Sequence, residues 1–318
     1  MLPTRSLGKS TLDVSTIGLG CNNFGRTGTA TESQEGTSAL LDAAIDAGIT
    51  FLDTADIYGA TPGQSETLMG NALLGKRDQV VLATKFGHFD VDMNIAPGHA
   101  KGSRTYLRAA LDDSLRRLQT DHVDLYQMHT PDPETAIEET IVALDELVSE
   151  GKIRFFGHSQ FTADQIRAAD AAAAELGTRA FASAQDEYNL LARGVELDVL
   201  PAVAQAGLGF LPFFPLHNGL LTGKFTRDAR PQDSRIMRQR PHLAQDAPWH
   251  VIEEYAEFCA ARGVTMLDAT FTWLLARPDL SSVIAGATTP AQVRQNAAAA
   301  TAWAATPDEI DQISSIFA

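Results

Sequence analysis

The stretch FLDTADIYG, residues 51–59, sets the reading of the fold: Phe51 and Leu52 form an apolar run that ends at Asp53, and Tyr58 follows in the loop beyond. Two later stretches share this arrangement. QVVLATKFG, residues 79–87, is an apolar run that leaves Lys85 at its end, and HVDLYQMHTPDP, residues 122–133, reads as a buried strand that delivers His129 to a proline-rich exit. In each, an ionisable side chain stands where a strand gives way to a loop, which is where parallel α/β folds keep their chemistry. One barrel would gather Asp53, Tyr58, Lys85 and His129 into a single candidate acid site.

Outward from these stretches, short apolar runs alternate with amphipathic ones. Eight strands are predicted, at residues 16–20, 50–53, 80–85, 123–127, 153–158, 181–185, 209–213 and 282–285. Helical patterns separate them at 36–47, 104–118, 135–150, 163–176, 195–205 and 249–262. Gly48, Gly151, Gly177 and Gly263 read as helix stops, and Thr162 and Thr306 as N-caps, the latter followed by Pro307, Asp308 and Glu309 in the first turn. The expectation is an α/β fold, a (β/α)8 TIM barrel in one domain over residues 1–318, with an N-terminal β-hairpin and accessory C-terminal helices. The hairpin, RSLGKSTLDV (residues 5–14), would turn at Gly8 and Lys9 and plug the barrel bottom. The 216–248 segment, rich in Gly, Pro, Arg and Asp, reads as a long functional or mobile loop. The alanine-rich 297–305 segment is a helix candidate by propensity.

Composition excludes several function classes. A chain of 318 residues with 44% hydrophobic content can bury one large core, and its net charge of −15 opposes binding to nucleic acid or an anionic membrane. No apolar signal core opens the sequence and no run of about 18 apolar residues occurs, so a soluble, cytoplasmic protein is expected. Cys21 and Cys259, only two cysteines, suit a reducing compartment and read as core residues, with no metal-ligand pattern.

With these elements placed, the chain resembles the aldo-keto reductase superfamily of NAD(P)-dependent barrel oxidoreductases. The resemblance runs in order through DTADIYG with QSE after it, ATKFG, YQMHTPDP, FGHSQF, QDEYNLL, FPLHNGLLTGK and IAGATTPAQVRQN, from about residue 5 to residue 305. It implies reduction of aldehydes or ketones to alcohols, or the reverse, with a nicotinamide cofactor, and its Asp, Tyr, Lys and His tetrad matches Asp53, Tyr58, Lys85 and His129. Hydride arriving at a carbonyl carbon leaves an alkoxide that needs a proton. Tyr58 would supply it, helped by the ammonium of Lys85, which favours phenolate. Asp53 would hold Lys85 charged and oriented, and His129 would orient the substrate oxygen. Singly, a buried Asp–Lys pair or a strand-end His is as readily structural.

The resemblance also implies cofactor contacts. Ser159, Gln160 and Gln185 match positions that hydrogen-bond the nicotinamide carboxamide, with Gln160 replacing the usual asparagine. Phe213 matches the aromatic that stacks on the ring, or is simply core. In 216–224, Leu216, Gly219, Leu221, Gly223 and Lys224 match the pyrophosphate loop, with Lys224 either adding charge or solvated. Gly286, Thr288, Gln292, Gln295 and Asn296 match the adenosine end. There NADP-preferring members carry a basic side chain, whereas this chain has Thr288 and Gln292 and, in that segment, Arg294 alone as a cation. NADP is favoured, with NAD left open. Asn23, Phe24, Phe86, His88 and the 216–248 loop are candidates for the substrate mouth, where Phe24 and Phe86 are equally readable as packing. The partner is then a small-molecule carbonyl or alcohol. The competing reading is a nicotinamide-binding regulatory barrel with slow or vestigial turnover.

Overall fold

The computed structural model describes residues 2–232 and 234–318. A hairpin of β1 (Thr4–Ser6) and β2 (Asp13–Ser15) precedes eight parallel strands: β3 (Ile17–Gly20), β4 (Phe51–Asp53), β5 (Val81–Phe86), β6 (Val123–Met128), β7 (Ile153–Ser159), β8 (Ser183–Glu187), β9 (Gly209–Phe213) and β10 (Val283–Gly286). Neighbours follow in chain order from β3 to β9, with β10 against β3. The ring is completed where Phe210 accepts from Ser281 N at 2.9 Å and donates to Asp279 O at 2.8 Å. The fold is the expected (β/α)8 barrel with a separate N-terminal hairpin, and the strands match the predicted ones to within two residues at each end.

The surrounding helices are α1 (Gln34–Asp46), α2 (Gln64–Ala72), α3 (Arg104–Leu118), α4 (Ile137–Ser149), α5 (Ala163–Leu176), α6 (Val199–Ala206), α7 (Arg235–Gln239), α8 (Pro241–Gln245), α9 (Trp249–Ala260), α10 (Met266–Leu275), α11 (Pro290–Ala299) and α12 (Pro307–Ile316). Local chemistry explains their ends. Thr162 and Thr306 close capping boxes with Gln165 and Glu309, and Gly177 ends α5 at φ 66°, a left-handed conformation in which a Cβ would be strained. Two expectations are corrected. The predicted 195–205 helix is a 3-10 turn, Gly194–Glu196, and then α6, because Pro201 in a continuous helix would clash with the carbonyl four residues before it. The 297–305 helix stops at Ala299: Trp303 turns in against Phe258, and Thr272 donates to its carbonyl, so packing overrides alanine propensity. The 216–248 segment contains a 3-10 stretch, His217–Thr222, together with α7 and α8.

Inside the barrel, strand periodicity produces layers. Phe51, Ala83, Leu125, Leu211 and Ile284 form an apolar layer that packs against Leu7, Leu12 and Val14 of the hairpin, so the hairpin closes the amino-terminal end. Lys9 N donates to Gly207 O at 3.0 Å and the Arg5 guanidinium donates to the carbonyls of Leu275, Arg277 and Leu280, which fixes this plug. Two residues further along each strand the same inward face carries Asp53, Lys85, Gln127, Phe213 and Gly286. The apolar layer thus gives way to a polar one at the carboxyl-terminal mouth.

Candidate active site

The polar layer centres on a buried ion pair. Lys85 Nζ lies 2.6 Å from Asp53 Oδ2 and donates to Thr54 O at 3.0 Å, and it stands 5.3 Å from the centre of the Tyr58 ring, with which it interacts electrostatically. The fully buried ammonium is thus compensated by a carboxylate and a carbonyl, as a desolvated charge requires. Burial by itself pulls the Lys85 pKa down, but the Asp53 carboxylate and then Tyr58 more than offset it, and the ammonium is held above its ordinary range. Asp53 Oδ1 accepts from Gln127 Nε2 at 3.0 Å and Gln185 Nε2 at 3.2 Å, so both carboxylate oxygens are engaged.

Parallel register brings these groups together: Lys85 on β5 pairs with Gln127 on β6, and Ser159 on β7 pairs with Gln185 on β8. Tyr58 comes from the loop after β4, pinned by its N–H to Ala55 O at 3.2 Å and its carbonyl to Ser65 N at 3.0 Å. Its ring meets the edge of His129 at 5.8 Å between centroids. His129 donates its backbone N–H to Phe86 O at 2.8 Å, and its Nδ1 is buried without a partner among the described residues. Burial first, then the charge of Lys85 and the neighbouring His88, keep the His129 imidazole neutral well below its usual titration range. His88, half-buried, packs edge-on to His129 at 4.7 Å. The structure therefore gathers all four predicted tetrad side chains at one barrel mouth.

Ser159 is buried at the end of β7. Gln160, at φ 60°, donates its side chain to His129 O at 3.2 Å and its N–H to Gln185 O at 3.0 Å. Gln185 gives its amide to Asp53 and so buttresses the ion pair, a contact its sequence position does not announce. Phe24 and Phe86 are fully buried and belong to the core. Phe213 is half-buried at the end of β9, against Phe214 at 5.2 Å. Gln127 escaped the sequence reading, although its place two residues before His129 puts it on the same strand face. Asp56, also unanticipated, is fully buried with both carboxyl oxygens unpartnered among the described residues. Burial, then the nearby Glu66 carboxylate, push its pKa up to about 8.

Beside this centre lies a cavity of about 800 Å³, within the range of about 300–1,000 Å³ usual for organic ligands. Leu216, Gly219, Lys224, Gly286, Thr288, Gln292, Gln295 and Asn296 line it, together with Asn23 and Phe214. Leu221 is buried in the core and Gly223 stands outside the wall, as do Ser159, Gln160, Gln185 and Phe213. Two features of the wall fit a polar ligand. Phe214, His217 and Asn218 all adopt positive φ, and both amide atoms of Asn218 are buried with no partner among the described residues. Thr288 N and Oγ1 both donate to Gln292 Oε1, at 2.8 and 3.1 Å, and Arg294 is exposed and outside the cavity. The end formed by α11 therefore offers hydroxyl and amide groups. Arg26, from the loop after β3, and Arg238, on α7, are also in the wall; Arg238 falls within the 216–248 segment expected at the substrate mouth, whereas Arg26 was not singled out.

A closed parallel barrel with a polar centre and a ligand-sized cavity at its carboxyl-terminal mouth defines a barrel of the enzymatic class. The chain belongs to the aldo/keto reductase family, whose model matches residues 16–318. It is 36% identical over 301 residues to the uncharacterized oxidoreductase YrpG of Bacillus subtilis, covering 91% of this chain and 88% of that protein. It is 34% identical over 322 residues to L-glyceraldehyde 3-phosphate reductase of Escherichia coli K12, covering 97% of this chain and 90% of that protein. The protein is an oxidoreductase of the carbonyl-reducing type. Among the described residues no helix is long and apolar enough to cross a membrane.

Proposed function

We propose that the protein interconverts an aldehyde or ketone and its alcohol with a nicotinamide cofactor, NADP in preference to NAD, and that Tyr58 is the proton donor for reduction. The observation that carries this reading is the buried Lys85 ammonium held between Asp53 and Tyr58. The cofactor, when bound, supplies hydride to the carbonyl carbon. Tyr58 then gives its phenolic proton to the oxygen on which charge develops, and the adjacent ammonium stabilises the phenolate left behind. Asp53 keeps that ammonium charged and aimed, while Gln127 and Gln185 hold Asp53. A neutral His129 can donate one hydrogen bond to the substrate oxygen and fix its direction. The name of the Escherichia coli relative describes reduction of an aldehyde, which agrees with this chemistry.

The side-chain amide of Asn218, unpartnered among the described residues, and Leu216, Gly219, Lys224, Gly286, Thr288, Gln292, Gln295 and Asn296 would hold the cofactor in the adjoining cavity. Ser159, Gln160, Gln185 and Phe213 would meet its nicotinamide end, with Leu221 and Gly223 supporting the loop from behind. Tyr58→Phe keeps the ring and removes the proton. Turnover of a panel of aldehydes, ketones and sugars should fall by at least about a hundredfold, with NADPH affinity retained. Undiminished turnover in this variant refutes the role of Tyr58, and tight cofactor binding without turnover of any carbonyl by the wild type would favour a regulatory barrel.

A further inference from the structure

Arginine on this acidic chain is commonly neutralised in place: Arg77 pairs with Asp124, Arg117 with Glu66, Arg193 and Arg277 with Glu196, and Arg262 with Glu309. Three arginines at the barrel mouth are not. Arg26, in the loop after β3, donates to Gln239 Oε1 at 2.9 Å and Asn22 O at 3.2 Å; Arg238 donates to Gly28 O at 3.2 Å; Arg240 lies over the Phe214 ring, 5.3 Å from its centre. None has a carboxylate partner among the described residues. Arg26 and Arg238 line the cavity, and so does Phe214, on which Arg240 rests.

Arg26 bonds to Gln239, the residue between Arg238 and Arg240, and the charges of both neighbours act on it. Arg26 is half-buried, and that burial, then the charges of Arg238 and Arg240, lower its pKa, while Tyr58 acts on it in the opposite sense. Arg240 also acts electrostatically on Glu187, at the end of β8, without forming an ion pair with it. Asp268, the carboxylate in the cavity wall, is engaged in the cap of α10 with Thr265 and pairs with none of the three, and like charges without an ion-paired carboxylate are relieved when an anion settles between them. Three planar guanidinium forks suit a phosphate monoester, with two charges and three acceptor oxygens, better than a carboxylate. Arg26 is near enough to Tyr58 for the two to interact electrostatically, whereas the α11 residues that line the cavity, Gln292, Gln295, Asn296 and Ala298, include no cation.

We propose that Arg26, Arg238 and Arg240 form a phosphate-binding subsite for the substrate, so that the preferred carbonyl compound carries a phosphate ester a few bonds from its reacting carbon. The inference rests on the reductase reading above for what the substrate does, but the subsite can be tested by binding alone. Such a substrate would come from reactions that phosphorylate small polyols or cleave sugar phosphates.

The turnover arm compares glyceraldehyde 3-phosphate with glyceraldehyde at saturating NADPH. The phosphorylated compound should be favoured at least about tenfold in kcat/KM, the scale of one charge-assisted hydrogen bond. Arg26→Gln and Arg240→Gln should each erase about that factor, and Arg26→Lys should keep part of it. The binding arm titrates glycerol 3-phosphate into the NADP-loaded protein and reads the melting temperature. Stabilisation is expected in the wild type, none with glycerol, and a loss in Arg26→Gln. Equal kcat/KM for the two aldehydes in the wild type overturns the proposal. So does weakened NADPH binding in the variants with an unchanged substrate ratio, because the arginines would then hold the cofactor's diphosphate. If neither aldehyde nor any other carbonyl turns over, the reductase reading fails by itself. Glycerol 3-phosphate then still decides the subsite, its stabilisation supporting it and its absence overturning it.

Discussion

Lys85→Met removes the ammonium and leaves the Asp53 carboxylate 3% exposed, held only by the neutral amides of Gln127 and Gln185 at 3.0 and 3.2 Å. Breaking a buried pair from one side costs about 3–5 kcal/mol, because the remaining charge has no compensation. With about 2.1 cal/mol/K of unfolding entropy per residue over 318 residues, a loss of about 4 kcal/mol lowers Tm by about 6 °C. Asp53→Asn should destabilise from the other side, by stranding the ammonium. In the double variant Asp53→Asn/Lys85→Met no charge is left to strand, and stability should return to within about 1–2 kcal/mol of the wild type. Thermal and urea unfolding of the four proteins at pH 7 measures the cycle. A wild-type Tm in Lys85→Met, or a double variant no better than the worse single one, would refute the claim that desolvated charge dominates here. Turnover separates the two roles of the pair, since the double variant should be stable yet inactive.

Other outcomes follow from particular contacts. Asp56, with its pKa raised from 3.8 to about 8, keeps its proton in the folded chain across a window in which the unfolded chain loses it. Its contribution to stability is therefore present at pH 4 and is lost as pH rises to 8, by about 1.4 kcal/mol per pH unit. Asp56→Asn should gain on the wild type through that window, and parallel pH–stability curves for the two would exclude a protonated Asp56. Gln292→Arg should lower the Michaelis constant for NADPH by about tenfold and leave that for NADH unchanged; equal effects on both would move the 2′-phosphate away from α11. Gly8→Ala sets a Cβ 2.5 Å from Gly207 O and Gly209 N, at a residue with φ +58°. It should cost about 1–3 kcal/mol and leave kcat/KM intact, because the hairpin lies at the opposite end of the barrel from Tyr58; an unchanged Tm would show that the plug is loosely seated.

Much of the fold was legible because its signals are local. Short apolar runs gave the barrel strands, and threonine caps and glycine stops marked helix ends, since both depend on neighbours within a turn. Failures occurred where distant packing overrode local preference, as at Trp303, which ends an alanine run that propensity alone would have continued. In the site, Asp53, Lys85 and His129 were readable as strand-end ionisable groups. Gln127 was not, because an amide inside an apolar strand carries no sign of the carboxylate it will meet.

By itself the sequence determined which residues face inward, in which order the strands come, and that a carboxylate, an ammonium and an imidazole would stand at strand ends with a phenol in the loop after the first of them. Strand periodicity and capping are properties of contiguous residues, and they survive without knowledge of the rest of the chain. Only the tertiary structure decided that Gln127 and Gln185 would grip Asp53, that Asp56 would be desolvated, and that Arg26 would meet Arg238 and Arg240 across more than two hundred residues of chain. Desolvation and charge convergence arise when barrel closure brings distant loops to one rim, and no local pattern records which loops those will be.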